Sequence, residues 1–135
     1  MAYWLMKSEP GSYGWGDLAG SGGTEWDGVR NPAARLHLKA MKVGDRALFY
    51  HSGEERAAVG IMRIVRGERP DGIDGKWVSV AVEPVAALAT PVTLKAMKGE
   101  LRLARLEMLR QSRLSVSPVR DEEWTTILEM AGGTT

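Results

Sequence analysis

The chain has 135 residues, with 18 Lys and Arg against 17 Asp and Glu and no Cys. The absence of Cys excludes disulfides and thiolate metal sites, and a formal charge of +1 argues against coating nucleic acid by bulk electrostatics. The length fits one ordinary domain, expected over 1–131 with a frayed tail over 132–135.

The stretch "AYWLMKS" (2–8) is aromatic and apolar, fit for a buried strand. It stops at "SEPG", where Pro10 pushes Glu9 out of helical geometry. "GSYGWGDLAGSGG" (11–23) reads as a loop with one turn of helix over 15–19. Trp26 then precedes a turn at Gly28 and follows no period. A ring in that place either plugs a sheet edge or forms a platform. Asn31-Pro32 signals a helix start, because the Asn oxygen can take an orphan N–H and Pro loses nothing at the first helical position. Ala33, Ala34, Leu36, Leu38, Ala40 and Met41 give a mostly apolar helix, which Gly44 terminates.

Strands are predicted over 45–52 and 57–67, with a connection short enough for a hairpin. "RPDGIDG" (69–75) is turn chemistry. Over 76–85 the period is two, with Trp77, Ser79, Ala81 and Glu83 on one face and Val78, Val80, Val82 and Pro84 on the other. A short helix over 93–98, another over 101–111, a strand over 113–119 and a final helix over 120–130 complete the chain. The acidic first turn of that last helix suits the positive end of its dipole. Trp77 and Trp124 are expected in the core on apolar periodicity. The order lacks a regular βαβ rhythm. It predicts an α+β fold with a mixed, strongly curved sheet or small barrel.

Candidate chemistry is sparse. There is neither a GxxxxGK[ST] loop nor a GxGxxG after a strand. His37 and His51 lie far apart and lack metal-ligand spacing. Ser52 and His51 are neighbours on a strand, so their side chains point to opposite faces and suit a nucleophile–base pair poorly. Glu9 could act as an acid or base only beside a second tuned group, and none stands out. The expectation is no enzyme, no metal and no cofactor. Arg30, Arg35, Lys39 and Lys42, like Arg102, Arg105, Arg110 and Arg113, read first as solvated faces. No apolar run approaches the length of about 20 residues that spans a bilayer. "MAYWLMKSEP" lacks the basic start of a signal peptide. A cytoplasmic monomer away from membranes is the expected setting.

Four blocks carry a resemblance: "YWLMKSEP", "WDGVRNPAAR", "MKVGDRALFYHS" and "RLSVSPV". Together, and in this order, they resemble the EVE domain over nearly the whole chain. The resemblance implies a PUA-like mixed β-pseudobarrel flanked by short helices, related to PUA, ASCH and YTH domains. It also implies a non-catalytic reader of modified bases, with 5-modified cytosine in DNA the leading ligand. Carried over residue by residue, Lys7, Ser8 and Glu9 would lie at the pocket mouth. Trp26, Val29 and Asn31 would line one wall, and Tyr50, His51 and Ser52 would approach from the neighbouring strand. The Gly-rich 11–23 loop and the short 66–76 connection depart from the family pattern, which leaves loop contacts to nucleic acid open.

The physical chemistry fits such a reader. A base must leave its stack to enter a pocket, at a cost of a few kcal/mol. Stacking on an aromatic ring returns about 1–3 kcal/mol, and Trp26 could supply it. Ser8 and Asn31 could read the base edge, although a capping Asn31 has its oxygen occupied. Arg30 and Arg35 could hold flanking phosphates. Alternatively, Trp26 only seals the sheet edge and Asn31 only caps. On the reader hypothesis, Trp26→Ala should weaken binding and leave the melting temperature nearly unchanged. Rival functions are an RNA-binding module, since PUA-like relatives often bind RNA, and an enzyme acting on a nucleobase.

Overall fold

The computed structural model describes residues 1–132; positions 133–135 of the expected frayed tail lie outside them. In chain order the elements are β1 (Tyr3–Ser8), α1 (Trp15–Ser21), β2 (Thr24–Trp26), α2 (Pro32–Ala40), β3 (Arg46–His51), β4 (Ala57–Asp71) and β5 (Trp77–Thr93). There follow α3 (Leu94–Lys98), a 3-10 turn (Leu101–Leu103), α4 (Glu107–Arg110), β6 (Val116–Val119) and α5 (Asp121–Met130). The strands form one sheet in the order β2-β5-β4-β3-β1-β6. β1 and β3 run parallel, and the other pairs are antiparallel. The α+β class and the mixed sheet are as the element order predicts.

Both faces of the sheet are covered. In β1, Trp4 and Met6 enter one apolar layer and Leu5 the other; in β3, Ala47 and Phe49 part from Leu48 and Tyr50 in the same way. Strand side chains alternate between faces, so each strand feeds both layers. α1 and α2 cover the first layer through Leu18, Ala34 and Leu38. The C-terminal helices cover the second through Met97, Met108, Trp124 and Ile127. Strands buried on both sides read as continuous apolar runs, which is the pattern of "AYWLM" and "ALFY".

Curvature comes from β4 and β5, whose pairing shifts register at four places. Each bulge bends and twists the ladder. Pro84 sits opposite Met62 at one such shift, where its missing N–H is tolerated. The two strands therefore run on to Asp71 and Thr93, past the expected ends at 67 and 85. β2 and β6 are the two edges of the sheet and do not pair with each other. The pseudobarrel is thus open, not a closed barrel.

Several expectations need correction. Trp77 is half-exposed, because Val78, Val80 and Val82 take the core face of β5 and leave Trp77 on the outer one. Trp26 ends a three-residue strand, too short to show a period, and is buried. The helix expected over 101–111 is broken by Leu106, whose ψ of 128° is extended. Trp124 is core as expected and stacks on Tyr3 at 4.3 Å between ring centroids. Asn31 caps α2, its Oδ1 accepting from the Ala34 N–H at 3.0 Å, with Pro32 in the first turn.

Candidate functional site

The gap between the β2 edge and the β1–β6 side of the sheet holds a cavity of about 360 Å³. That volume lies within the range of small-ligand sites. Lys7 and Ser8 at the end of β1, with Ser115 just before β6, form one wall. β2 and the turn from Asp27 to Arg30 form the other, and Tyr13 closes the side. Gly28 turns the chain at φ 77°, a conformation other residues rarely adopt. Its N–H donates to Asp71 Oδ2 at 2.9 Å, and Arg30 Nη1 donates to the same oxygen at 2.9 Å. Those two hydrogen bonds, the Gly28 one foremost, hold the Asp71 carboxyl below its ordinary pKa. They also tie the cavity rim to the β4–β5 hairpin.

Behind the wall formed by Trp26 and Tyr13 the packing is aromatic. Phe49, the only Phe in the chain, has the Trp26 and Trp15 rings edge-on at 5.5 and 5.7 Å. Tyr13 and His51 lie against it at 6.5 and 5.5 Å. Trp26 is 8% exposed, so it offers the cavity a narrow strip of ring and not an open platform. Trp15 lies on Gly60, where a Cβ would come within 2.4 Å of its ring atoms. Only Gly admits that contact.

Polar groups around the cavity are largely committed. Ser8 Oγ donates to the Tyr13 carbonyl at 2.6 Å, which leaves the hydroxyl as an acceptor. Glu25 receives both Arg66 Nη groups, at 2.7 and 2.5 Å, the Ser79 hydroxyl at 2.8 Å and Arg69 at 3.0 Å. The Arg66 hydrogen bonds are the largest reason its carboxyl falls to a pKa of about 2. Glu25 is a fixed anion that clamps β2 to β4 and β5. Asp27, by contrast, is exposed at the rim.

A second cavity, of about 270 Å³, lies against the other layer of the sheet and is lined by Tyr50, Ser52, Arg56, Lys98 and Met108 among others. Lys7 borders both cavities. Its Nζ donates to the Ser112 carbonyl at 2.8 Å and sits 5.7 Å from the centre of the Tyr50 ring. Burial lowers its pKa.

The sequence-predicted residues therefore separate. Lys7, Ser8, Trp26, Val29 and Arg30 meet at the first cavity. Tyr50 and Ser52 line the second. His51 lines neither: its Nε2 accepts from the Trp15 N–H at 3.0 Å, and its Nδ1 lies 2.8 Å from Glu55 Oε1. With Nε2 an acceptor, Nδ1 carries the proton, and the ring anchors the start of α1. Glu9 is exposed, with its carboxylate beside Gly53. Asn31 faces a shallow depression with Arg110 and Arg113, away from the first cavity. Arg35 donates to the Lys76 carbonyl at 2.9 Å, and it and Arg30 each lie 5.7 Å from the Trp77 ring.

Tyr13, Thr24, Glu25, Asp27, Gly28 and Ser115 also line the first cavity, outside the site residues expected from the sequence. Two signals point to them: a lone aromatic, Tyr13, inside a Gly-rich loop, and the turn at Gly28 directly after Trp26. Among the described residues no group of His, Asp and Glu side chains converges as a metal site, and no helix is long and apolar enough to cross a membrane.

Comparison with known proteins places these features. The EVE domain model matches residues 2–130. Thymocyte nuclear protein 1 of Mus musculus is 33% identical over 164 residues, covering 95% of this chain and 73% of that protein. The solved structure of Rpa0253 from Rhodopseudomonas palustris superposes with a TM-score of 0.93 at 47% identity, covering 98% of this chain and 94% of that one. Human THYN1, solved in complex with DNA containing 5-methylcytosine, gives a TM-score of 0.93 at 29% identity, with both chains fully covered. The YTH domain of Zygosaccharomyces rouxii MRB1 shares the fold alone, at a TM-score of 0.61 and 16% identity over 96% of this chain and 86% of that one. The fold is PUA-like, and the chain belongs to the EVE domain family.

Proposed function

We propose that the protein is a non-catalytic nucleic-acid-binding module that reads one modified base, 5-modified cytosine in DNA, by taking it into the cavity beside Trp26. The observation that carries this reading is the cavity itself: a recess of about 360 Å³, roomy enough for one pyrimidine, in the gap between the two sheet edges and walled by Trp26, Val29 and Tyr13. The complex of human THYN1 with 5-methylcytosine DNA supports the ligand class.

Within the cavity, Ser8 Oγ accepts a hydrogen bond from the exocyclic amino group of cytosine, since its own proton goes to Tyr13. Asp27 at the rim is a second acceptor for the same group. The strip of Trp26, with Val29, receives the 5-substituent. Burying a methyl there contributes about 0.8 kcal/mol, roughly a fourfold preference over plain cytosine. Arg30 stands at the rim, 46% exposed, and contacts a flanking phosphate. Asp71 partly neutralises it, so each such contact adds a shallow salt slope, at most about 0.9 per phosphate. Asn31 keeps its capping role, because its oxygen is already taken. Glu9, His51 and Arg35 support the frame of the site and do not touch the base.

The test is a binding panel in otherwise identical duplexes carrying cytosine, 5-methylcytosine, 5-hydroxymethylcytosine or N6-methyladenine. Matched single-stranded DNA and RNA complete it, because recognition of the 2′-OH would mark an RNA reader. Preference for a 5-modified cytosine in DNA supports the proposal. Equal affinity for every duplex, or tighter binding to RNA, contradicts it.

A further inference from the structure

The second cavity combines a cationic rim with an apolar floor. Lys7, Arg56 and Lys98 provide the rim, Tyr50 and Met108 the floor, and no carboxylate lines it among the described residues. Tyr50 and Met108 are 3% and 2% exposed, so the floor is the edge of the second core layer. Neither Arg56 nor Lys98 takes part in a salt bridge among the described residues. Glu54 and Glu55 line an adjoining depression that shares Arg56 and Lys98 with this cavity, Glu55 is bonded to His51, and the Glu9 carboxylate lies beside Gly53 at the cavity edge. Lys7 meets a carbonyl and a ring but no anion.

Arg56 adds an independent observation. It is the one non-Gly residue with positive φ among the described residues, at 48°. A left-handed conformation is unfavourable for an L-residue, whose Cβ crowds the following carbonyl. Such strain persists where the surroundings over-determine it, and it clusters at ligand sites. Here the Arg56 carbonyl accepts from the Leu94 N–H at 2.8 Å, and Arg56 Nε donates to the Gly53 carbonyl at 3.1 Å. The guanidinium is held at the cavity by these bonds at the expense of backbone comfort.

We propose that this cavity is a second ligand site, for a nucleoside phosphate: the phosphate on Lys7, Arg56 and Lys98, the ring against Tyr50 and Met108. Guanidinium and ammonium groups bind phosphate through charge-assisted hydrogen bonds. A volume of about 270 Å³ suits one nucleotide and not a larger cofactor. The nucleotide can be free or part of a strand. The site does not depend on the base-reading proposal, since it lies on the other layer of the sheet.

The experiment follows the methionine methyl groups and the Trp26 indole by NMR in the full chain, during titration with CMP, cytidine, inorganic phosphate and a short 5′-phosphorylated DNA oligomer. CMP should shift the Met108 methyl saturably, inorganic phosphate more weakly, and cytidine not at all. Arg56→Gln and Lys98→Gln should each weaken CMP about tenfold, the loss of one charge-assisted hydrogen bond, with the other methionine signals in place as evidence of an intact fold. A shift with the oligomer but not with CMP would still support the site and assign its phosphate to a strand. No Met108 shift with either probe at millimolar concentration, or a shift undiminished in both variants, would overturn it. Trp26 reports the first cavity separately, so failure here leaves the base-reading proposal to its own signal.

Discussion

The Trp26 ring meets Phe49 edge-on, with centroids 5.5 Å apart and planes at 83°. Trp26 is thereby a member of the core as well as a wall of the candidate base cavity. Truncating it removes both. Trp26→Ala should cost about 3–5 kcal/mol, as for other buried aromatics, so the expectation of a nearly unchanged melting temperature does not hold. Phe49→Leu should lower stability by less and still loosen the cavity, because Tyr13, Trp15 and Trp26 all rest on that ring. Urea denaturation of the two variants should place Trp26→Ala well below Phe49→Leu, and the reverse order would contradict the packing described.

The Glu25 clamp predicts acid sensitivity. The Arg66 hydrogen bonds bring its carboxyl from an ordinary 4.5 to about 2 in the folded protein. A depressed carboxylate stabilises fully above its unfolded pKa and loses that contribution as pH falls through the folded value. Stability should therefore drop between about pH 4.5 and 2. Glu25→Gln should remove this part of the slope and cost about 1–2 kcal/mol at neutral pH, allowing for solvent around Arg66. Thermal melts across that pH range, wild type against variant, measure both.

Gly60 supports α1 by having no side chain. Gly60→Ala should push Trp15 off the sheet, since its Cβ would sit 2.4 Å from the ring. The expected cost is about 1–3 kcal/mol of overpacking. Trp15 fluorescence should move to the red in the variant. An unchanged spectrum and melting temperature would show that the ring has room to give.

Much of this was legible in the chain. β1 and β3 are written as apolar runs, and Asn31-Pro32 states its helix start in two residues. What the sequence concealed was side-chain direction. Tyr50, His51 and Ser52 sit in one block, "YHS", and read as a unit when carried over together. On a strand they alternate, so Tyr50 enters the second layer while His51 stays with Phe49 in the first. Trp77 reads as core from the sequence for a related reason: periodicity identifies two faces but not which one is buried. β2 leaves no mark in the sequence because three residues carry no period, and its place at the sheet edge depends on pairing with Val80, Ala81 and Val82 far along the chain.

Arg56 gives a prediction in which stability and binding part company. Arg56→Gly should relieve the left-handed strain, and the gain roughly offsets the extra freedom of the unfolded chain. The melting temperature should stay level or rise, while CMP binding at the second cavity weakens. A clear loss of stability would mean that Arg56 serves the fold and not a ligand.

A base that enters the recess beside Trp26 must be shut out when that recess is obstructed. Ser115 borders it and is half-buried, with its carbonyl taken by the Lys7 N–H at 2.9 Å, a bond that a side-chain change leaves intact. Fluorescence anisotropy should be recorded for wild type and Ser115→Phe with two duplexes that differ only in one 5-methyl group. Wild type should favour the methylated duplex about fourfold. Ser115→Phe, folded by circular dichroism, should lose both the affinity and the preference. Full binding and undiminished preference in the obstructed protein would rule out entry of the base at this recess.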